Sequence, residues 1–158
     1  MYDDETLKDL SLAGKIILIT GSSRGIGAGI AIKLAQAEAT VVLNYKDPES
    51  LNDASAVMST IKNAGGNAYL IKADVSIDSE VKNMMEKVKE KFGRIDALVN
   101  NAGIIRDHTI ENMTELEWNS VLNVNLKGVW LCSKYAIMFF YEESKIWQDI
   151  KYIFCNRS

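Results

Sequence analysis

At 158 residues, 47% hydrophobic and 25% charged, the chain has the length and balance of a single globular domain. Lys+Arg numbers 18 against Asp+Glu 21, a net charge of -3, which disfavours nucleic acid or an anionic membrane as partner. No apolar run reaches the ~18 residues of a membrane span, and two cysteines (Cys132, Cys155) without a CxxC pair, beside the lone His108, imply no disulfide framework and no metal site and fit a reducing, cytoplasmic compartment.

The chain opens on "MYDDETLKDL", acidic and without an apolar core, so no signal peptide is expected there. "KIILIT", from Lys15 to Thr20, is short, β-branched and ended by Gly21; it predicts a strand buried on both faces. "GIGAGIAIKLAQAEA" follows with apolar residues near helical period at Ile26, Ile30, Leu34 and Ala37. "TVVLNY" predicts a second buried strand. A second helix follows, with Pro48 near its start and Gly65-Gly66 at its end. "NAYLIKADV" is a third strand, and "DSEVKNMMEKVKEKFG" a third helix opened by Asp78 and Glu80 and closed by Gly93. "IDALVNNAG" is a fourth strand running into a turn. The stretch "ELEWNSVLNVNLKGVWLCSKYAIMFF" reads as one long, largely apolar helix, with Met84, Met85, Trp118 and Trp130 expected in core or interface packing. This alternation predicts βαβ units in a Rossmann-type, doubly wound parallel α/β sheet. Residues 1–140 would form that domain. Tyr141 to Ser158 breaks the pattern, being polar and aromatic with no clean strand, and leaves an open sheet edge.

"TGSSRGIG", Thr20 to Gly27, stands where the first strand becomes the first helix. Glycines there let backbone amides approach a pyrophosphate held at the positive helix N-terminus. A glycine triplet alone is also compatible with a plain βα turn, but the flanking strand and helix favour the nucleotide reading. No GxxxxGK[ST] is present, so this is not a P-loop. "LVNNAG", Leu98 to Gly103, closes the fourth strand and alone would signal only a turn.

Together, "TGSSRGIG", "ADV" (Ala73 to Val75), "LVNNAG", "GIIRD" (Gly103 to Asp107) and "NVNLKG" (Asn123 to Gly128) fall in the order and spacing of the short-chain dehydrogenase/reductases, which the chain resembles from about Leu12 to Tyr135. Within that family it looks most like the beta-ketoacyl-(acyl carrier protein) reductases and the glucose dehydrogenase-like members. The resemblance implies the N-terminal part of the family fold. Its activity would be reduction of a carbonyl, on a small molecule or an acyl thioester, in a homo-oligomer (tetramer or dimer). It also implies a cofactor site: Gly21, Ser22, Ser23, Arg24, Gly25, Ile26 and Gly27 around the phosphates and ribose, Asp74 and Val75 at the adenine, and Asn101, Ala102 and Gly103 beside the ribose. Asn100 would tie neighbouring strands together. Asn125 would be the catalytic asparagine, whose distorted backbone holds a water in the proton relay.

NAD enzymes carry an acid at the end of the second strand, where it accepts from the ribose hydroxyl. Asn44 is expected at that position, with Asp47 too far along to matter. Arg24 could meet a 2′-phosphate with a charge-assisted fork, unless it is only a solvated turn residue, so NADP is favoured over NAD. His108 has no partner pattern that suggests catalysis.

"YEESK", Tyr141 to Lys145, has the spacing of the family's tyrosine and lysine, where the lysine lowers the pKa of the proton donor. In the family, however, that tyrosine follows the asparagine by about forty residues, after a fifth strand and a serine. Tyr141 follows Asn125 by 141 − 125 = 16. The motif is therefore expected to be a coincidence, and the chain as written inactive. Spelled in AT-rich codons and read one base over, residues 141–158 yield a basic segment, a glycine, an apolar strand and a serine-containing turn like the family's own. A frameshift near a thymine run at Phe139–Tyr141 would account for the tail; a natural divergent tail is the alternative. A non-catalytic nucleotide-binding fragment, or an unstable product, remain the other functional readings.

Overall fold

The computed structural model describes residues 11–141 and 151–154. Four segments form the parallel sheet where the apolar runs predict them: β1 (Ile16–Ile19), β2 (Thr40–Tyr45), β3 (Asn67–Lys72) and β4 (Ala97–Asn100). The helices between them are α1 (Gly25–Gln36), α2 (Leu51–Asn63, entered through a 3-10 turn at Pro48–Ser50) and α3 (Asp78–Phe92). Beyond β4 an irregular stretch leads to α4 (Glu115–Leu122), a π-helical turn (Asn123–Lys127), α5 (Gly128–Ala136) and a second π-helical turn (Ile137–Tyr141).

The sheet order is β3-β2-β1-β4-β5, all neighbours parallel. Alternation along the strands explains why each reads as an unbroken apolar run. Ile17, Ile19, Val41, Leu43 and Val99 pack with Ala31, Ala35 and Ile61 of α1 and α2. Leu18, Val42, Ile71 and Leu98 pack on the opposite face with Val81, Met84, Met85 and Val88 of α3 and Leu131, Cys132 and Tyr135 of α5. Both faces are covered, so no strand position needs to be polar.

One sequence expectation is overturned and another narrowed. The tail does contain a strand: β5 (Lys151–Phe154) pairs with β4 in the register Ala97↔Lys151 to Asn100↔Phe154. Tyr152, Ile153 and Phe154 are residues of high strand propensity, but the run is short and its neighbours polar, so pattern reading passes over it. The sheet edge therefore lies at β5, not at β4. Of the two alternatives for Trp118 and Trp130, core or interface, the core is excluded: both are exposed, in a stripe with Leu122, Leu126, Ile137 and Met138 along the α4–α5 face. Met84 and Met85 are core residues as expected. The acidic segment at residues 1–10, Lys145 of the Tyr-x-x-x-Lys spacing, and Cys155 lie outside the described residues. Among the described residues no helix is long and apolar enough to cross a membrane.

Candidate functional site

A cavity of about 340 Å³ opens beside the turn from β1 to α1, within the roughly 300–1,000 Å³ range of small-molecule sites. Its wall includes Gly21, Ser23, Arg24, Asn44, Asp74, Val75, Asn101, Ala102 and Gly103 of the residues that the sequence nominates. The strands converge there with their carboxyl ends, the usual crevice of an open α/β sheet.

The glycine turn is shaped by close approach. Gly21 has φ +61°, and a Cβ on it would stand 2.8 Å from the Ala102 Cα. A Cβ on Gly27 would stand 2.4 Å from Asn101 Nδ2. The turn is thus pressed against the end of β4, and hydrogen bonds lock it there. Asn101 Nδ2 donates to the carbonyls of Thr20 and Gly21, both at 2.9 Å. The buried Thr20 hydroxyl accepts from the amides of Asn101 (3.0 Å) and Ala102 (3.1 Å). At the start of α1 the cap residue Arg24 is extended and makes no side-chain cap, and no acid lies in the first turn. The leading amides of α1 therefore keep their capacity to bind an anion.

Several nominated residues do other work. Ser22 is fully buried, its hydroxyl donating to the Ile19 carbonyl at 3.0 Å and its amide to the Asn44 carbonyl at 3.0 Å. It braces the turn and does not line the cavity. Gly25, Ile26 and Gly27 form the first turn of α1 beside the cavity, outside its wall. Asn100 is buried; its side chain donates to the Ser133 hydroxyl at 3.4 Å, tying β4 to α5, while its backbone stands in the β4–β5 pairing.

Asn44 is bound into the turn itself. Its side chain is 2% exposed. Oδ1 accepts the Gly21 amide at 3.0 Å, and Nδ2 faces the carbonyls of Ala73 (3.0 Å), Tyr45 (3.3 Å) and Ile71 (3.4 Å). Both polar atoms are engaged by backbone, which ties the side chain into the turn. Asn44 holds the glycine turn onto β2.

The residues that sequence reading missed come from the end of β2 and the segment after it: Tyr45, Lys46, Asp47, Glu49, Ser50 and Asp53 all line the cavity, with Ala73, Ile104 and Val124. Asp47 is thus not too far along. Its carboxylate, however, accepts the Ser50 amide (2.9 Å) and hydroxyl (2.8 Å), which hold its pKa below the usual value. The Asp–Pro–x–Ser spacing is the signal that could have found this capping turn.

Asp74 is partly buried, which works to raise its pKa. Bonds from the Ser76 hydroxyl and amide, and the Lys46 ammonium, outweigh that and hold the carboxyl below its usual value. Asn125 sits in the π-helical turn, whose end is marked by the Gly128 amide bonding the Asn123 carbonyl. Its side chain clips the Ile104 peptide in both directions: Oδ1 accepts the Ile104 amide at 2.9 Å and Nδ2 donates to the Ile104 carbonyl at 3.0 Å. Asn125 does not line the cavity but fixes Ile104, which does. His108 pairs with Glu117 at 2.9 Å, away from the cavity wall. Cys132 is buried, and burial pushes its thiol up to about 12.

A strand–glycine turn–helix unit at the carboxyl edge of a parallel sheet, closed by the Asn-Asn-Ala-Gly end of β4, defines a Rossmann-type α/β fold. The chain belongs to the short chain dehydrogenase family, whose model matches residues 15–145. It is 45% identical over 118 residues to the 3-oxoacyl-(acyl-carrier-protein) reductase of Staphylococcus epidermidis, covering 75% of this chain and 48% of that protein. The corresponding reductase of Synechocystis is 42% identical over 124 residues, covering 78% and 49%. Among solved structures, a short chain dehydrogenase from Burkholderia cenocepacia in complex with NADP superposes with a TM-score of 0.76 at 40% identity, covering 82% of this chain and 52% of that one. A dehydrogenase/reductase from Sinorhizobium meliloti gives 0.79 at 35% identity, covering 87% and 54%. The chain spans about half the length of the curated relatives it matches.

Proposed function

We propose that this chain is the cofactor-binding part of an NADP-dependent reductase that converts a carbonyl, on a 3-oxoacyl thioester or a similar ketone, to a hydroxyl. The observation that carries the reading is the cavity at the glycine turn, walled by Gly21, Arg24, Asp74 and Asn101. The bound nicotinamide cofactor would supply the hydride. The turn amides and the uncapped start of α1 would hold its phosphates, Asp74 and Val75 its adenine, and Asn101, Ala102 and Gly103 its ribose side. Arg24 and the absence of an acid at Tyr45 support the 2′-phosphorylated form over NAD, against the opposing charges of Asp47, Glu49 and Asp53. Asn125 would act through its backbone, since its side chain is committed to Ile104. A π-helical turn disturbs the normal ladder and leaves room for a carbonyl to hold a water. The reductase class, the cytoplasmic setting and a homo-oligomeric state are part of this proposal, by likeness to the relatives.

A second reading, a nucleotide-binding chain that does not turn over, is favoured by the position of Tyr141. It ends the helical stretch, sixteen residues beyond Asn125 (141 − 125), in the place of neither a donor nor a strand. Titrating NADPH and NADH fluorescence with the purified chain tests binding, and an acetoacetyl-thioester turnover assay separates the two readings. Absence of any NADPH binding by the folded chain would refute both.

A further inference from the structure

Val75, Val124 and Ile104 line the cavity from three separate places in the chain: the turn after β3, the π-helical turn, and the stretch after β4. The π-helical turn (Asn123–Lys127) holds on to both of the others. On one side Asn125 clips the Ile104 peptide, Oδ1 accepting its amide at 2.9 Å and Nδ2 donating to its carbonyl at 3.0 Å. On the other side Lys127 Nζ donates to the Ser76 carbonyl at 3.1 Å. Further along α5, the hydroxyl of the buried Tyr135 donates to Asp78 Oδ2 at 2.7 Å, where α3 begins.

Gly128, which follows Lys127, is seated on Val75. A Cβ there would stand 2.9 Å from Val75 Cγ2 and 3.2 Å from the Val75 carbonyl oxygen. Its φ of −60° is ordinary for a helix, and glycine weakens a helix relative to alanine. The close approach, not the backbone, is therefore what calls for glycine. Val75 is buried and branched at Cβ, so it has little freedom to turn aside. In a regular α-helix, positions three apart share a face. The wider π-helical turn splays them, so that Asn125 meets Ile104 while Gly128 meets Val75.

We propose that Lys127 and Gly128 are positioning residues: they seat the π-helical turn on the β3–α3 connection, which sets where Asn125 stands and, through Asn125, where Ile104 stands. Two stretches of the cavity wall, 29 residues apart in the chain (104 − 75), are thereby joined by one five-residue turn. What the bridge does for a ligand rests on the nucleotide reading of the cavity. A ligand lying on Val75 steadies the Asn125 end before anything occupies it.

Hydrogen exchange of the Ile104 amide, followed by NMR in the full chain, reads the bridge at the end remote from the substitutions. Gly128→Ala should speed that exchange about 5- to 100-fold relative to the Leu18 amide of β1, the span expected when a packed contact is overfilled. A general loss of stability would speed both amides alike. Adding Val75→Ala to Gly128→Ala makes room for the new methyl and should restore most of the protection. Where a thermal melt shows Gly128→Ala unfolded, Lys127→Met, a change to an exposed side chain, carries the test with a rise of about 2- to 10-fold for one lost hydrogen bond. Adenosine 5′-monophosphate should slow Ile104 exchange in the parent chain and not in Gly128→Ala. Unchanged exchange at Ile104 in both variants, equal acceleration at Ile104 and Leu18, or nucleotide binding without slowing would overturn the bridge. If no nucleotide binds while the variants still free Ile104, the nucleotide reading falls and the bridge stands.

Discussion

Asn44→Asp separates two accounts of how the second strand meets the ligand. If Asn44 occupied the ribose-reading position, the new carboxylate would accept from a ribose hydroxyl and shift preference toward NAD. The structure forecasts a different result. The acid would keep the Gly21 amide on one oxygen, but its other oxygen would face the carbonyls of Ala73, Tyr45 and Ile71 where Nδ2 now donates. Each lost buried hydrogen bond whose partner stays unpaired costs about 1–3 kcal/mol. A site 2% exposed adds desolvation of the charge, or a proton taken up to avoid it. A total of roughly 3–5 kcal/mol follows, about 10 °C or more in Tm for a domain of this size. Asn44→Ala, which removes the bonds without adding charge, should cost less, about 2–3 kcal/mol. Urea and thermal unfolding measure the loss, and titration with both dinucleotides measures the preference. An Asn44→Asp chain as stable as the parent, now favouring NAD, would refute the structural assignment.

Arg24→Ala should remove most of any preference for NADP(H) over NAD(H), on the order of 1–3 kcal/mol for a charge-assisted contact; equal affinities in the unmutated chain would contradict this. The chain as written should show no carbonyl reduction with saturating NADPH, and Tyr141→Phe or Lys145→Ala should change no measured rate; thioester-dependent NADPH oxidation lost on Tyr141→Phe would reverse that view. The exposed stripe of Trp118, Leu122, Leu126, Trp130, Ile137 and Met138 should drive self-association, reduced by Leu126→Lys in sedimentation; a monomer before and after that change would count against it. The Asp74 pKa is depressed in the folded chain, so its contribution to stability is complete above the unfolded value and is lost as pH falls through the lower folded value. Acid unfolding of Asp74→Asn should lack that component, and identical acid curves would show that Asp74 is not linked to folding.

The sheet was legible because its strands are buried on both faces: β2 coincides with "TVVLNY" to the residue, and Gly93 ends α3 in the left-handed conformation as a helix stop should. The glycine turn was legible through its flanking elements. What escaped was side-chain direction. A strand alternates, so Asn44 and Tyr45, which both reach the cavity wall, differ in burial: Asn44 is buried and engaged by backbone, and Tyr45 is partly exposed. The acids of the segment from Asp47 to Asp53 return to the cavity because a capping turn folds them back, a tertiary consequence of a three-residue spacing. Helical period marked the α4–α5 stretch as apolar but could not say which face lies on α3 and which meets solvent. The strand at Lys151–Phe154 is too short to stand out from its polar neighbours, and pairing with β4 decides it.

The bonds that close the glycine turn have a consequence for how the protein comes into being. Asn101 and Ala102 join Thr20 and Gly21 across 80 to 82 residues of chain. β1, β2 and the helix between them can come together early, through contacts of short sequence separation. The cradle cannot be complete until β4 has been synthesised and has docked on the far side of β1, with the loop-closure entropy of all that intervening chain already overcome. The cradle is therefore built on contacts of long sequence separation, and the first half of the sheet on shorter ones. On a ribosome, the nascent chain would pass through a stage with an ordered β1–α1–β2 unit and an unformed site, and a nucleotide would be able to stabilise only the products that had reached β4.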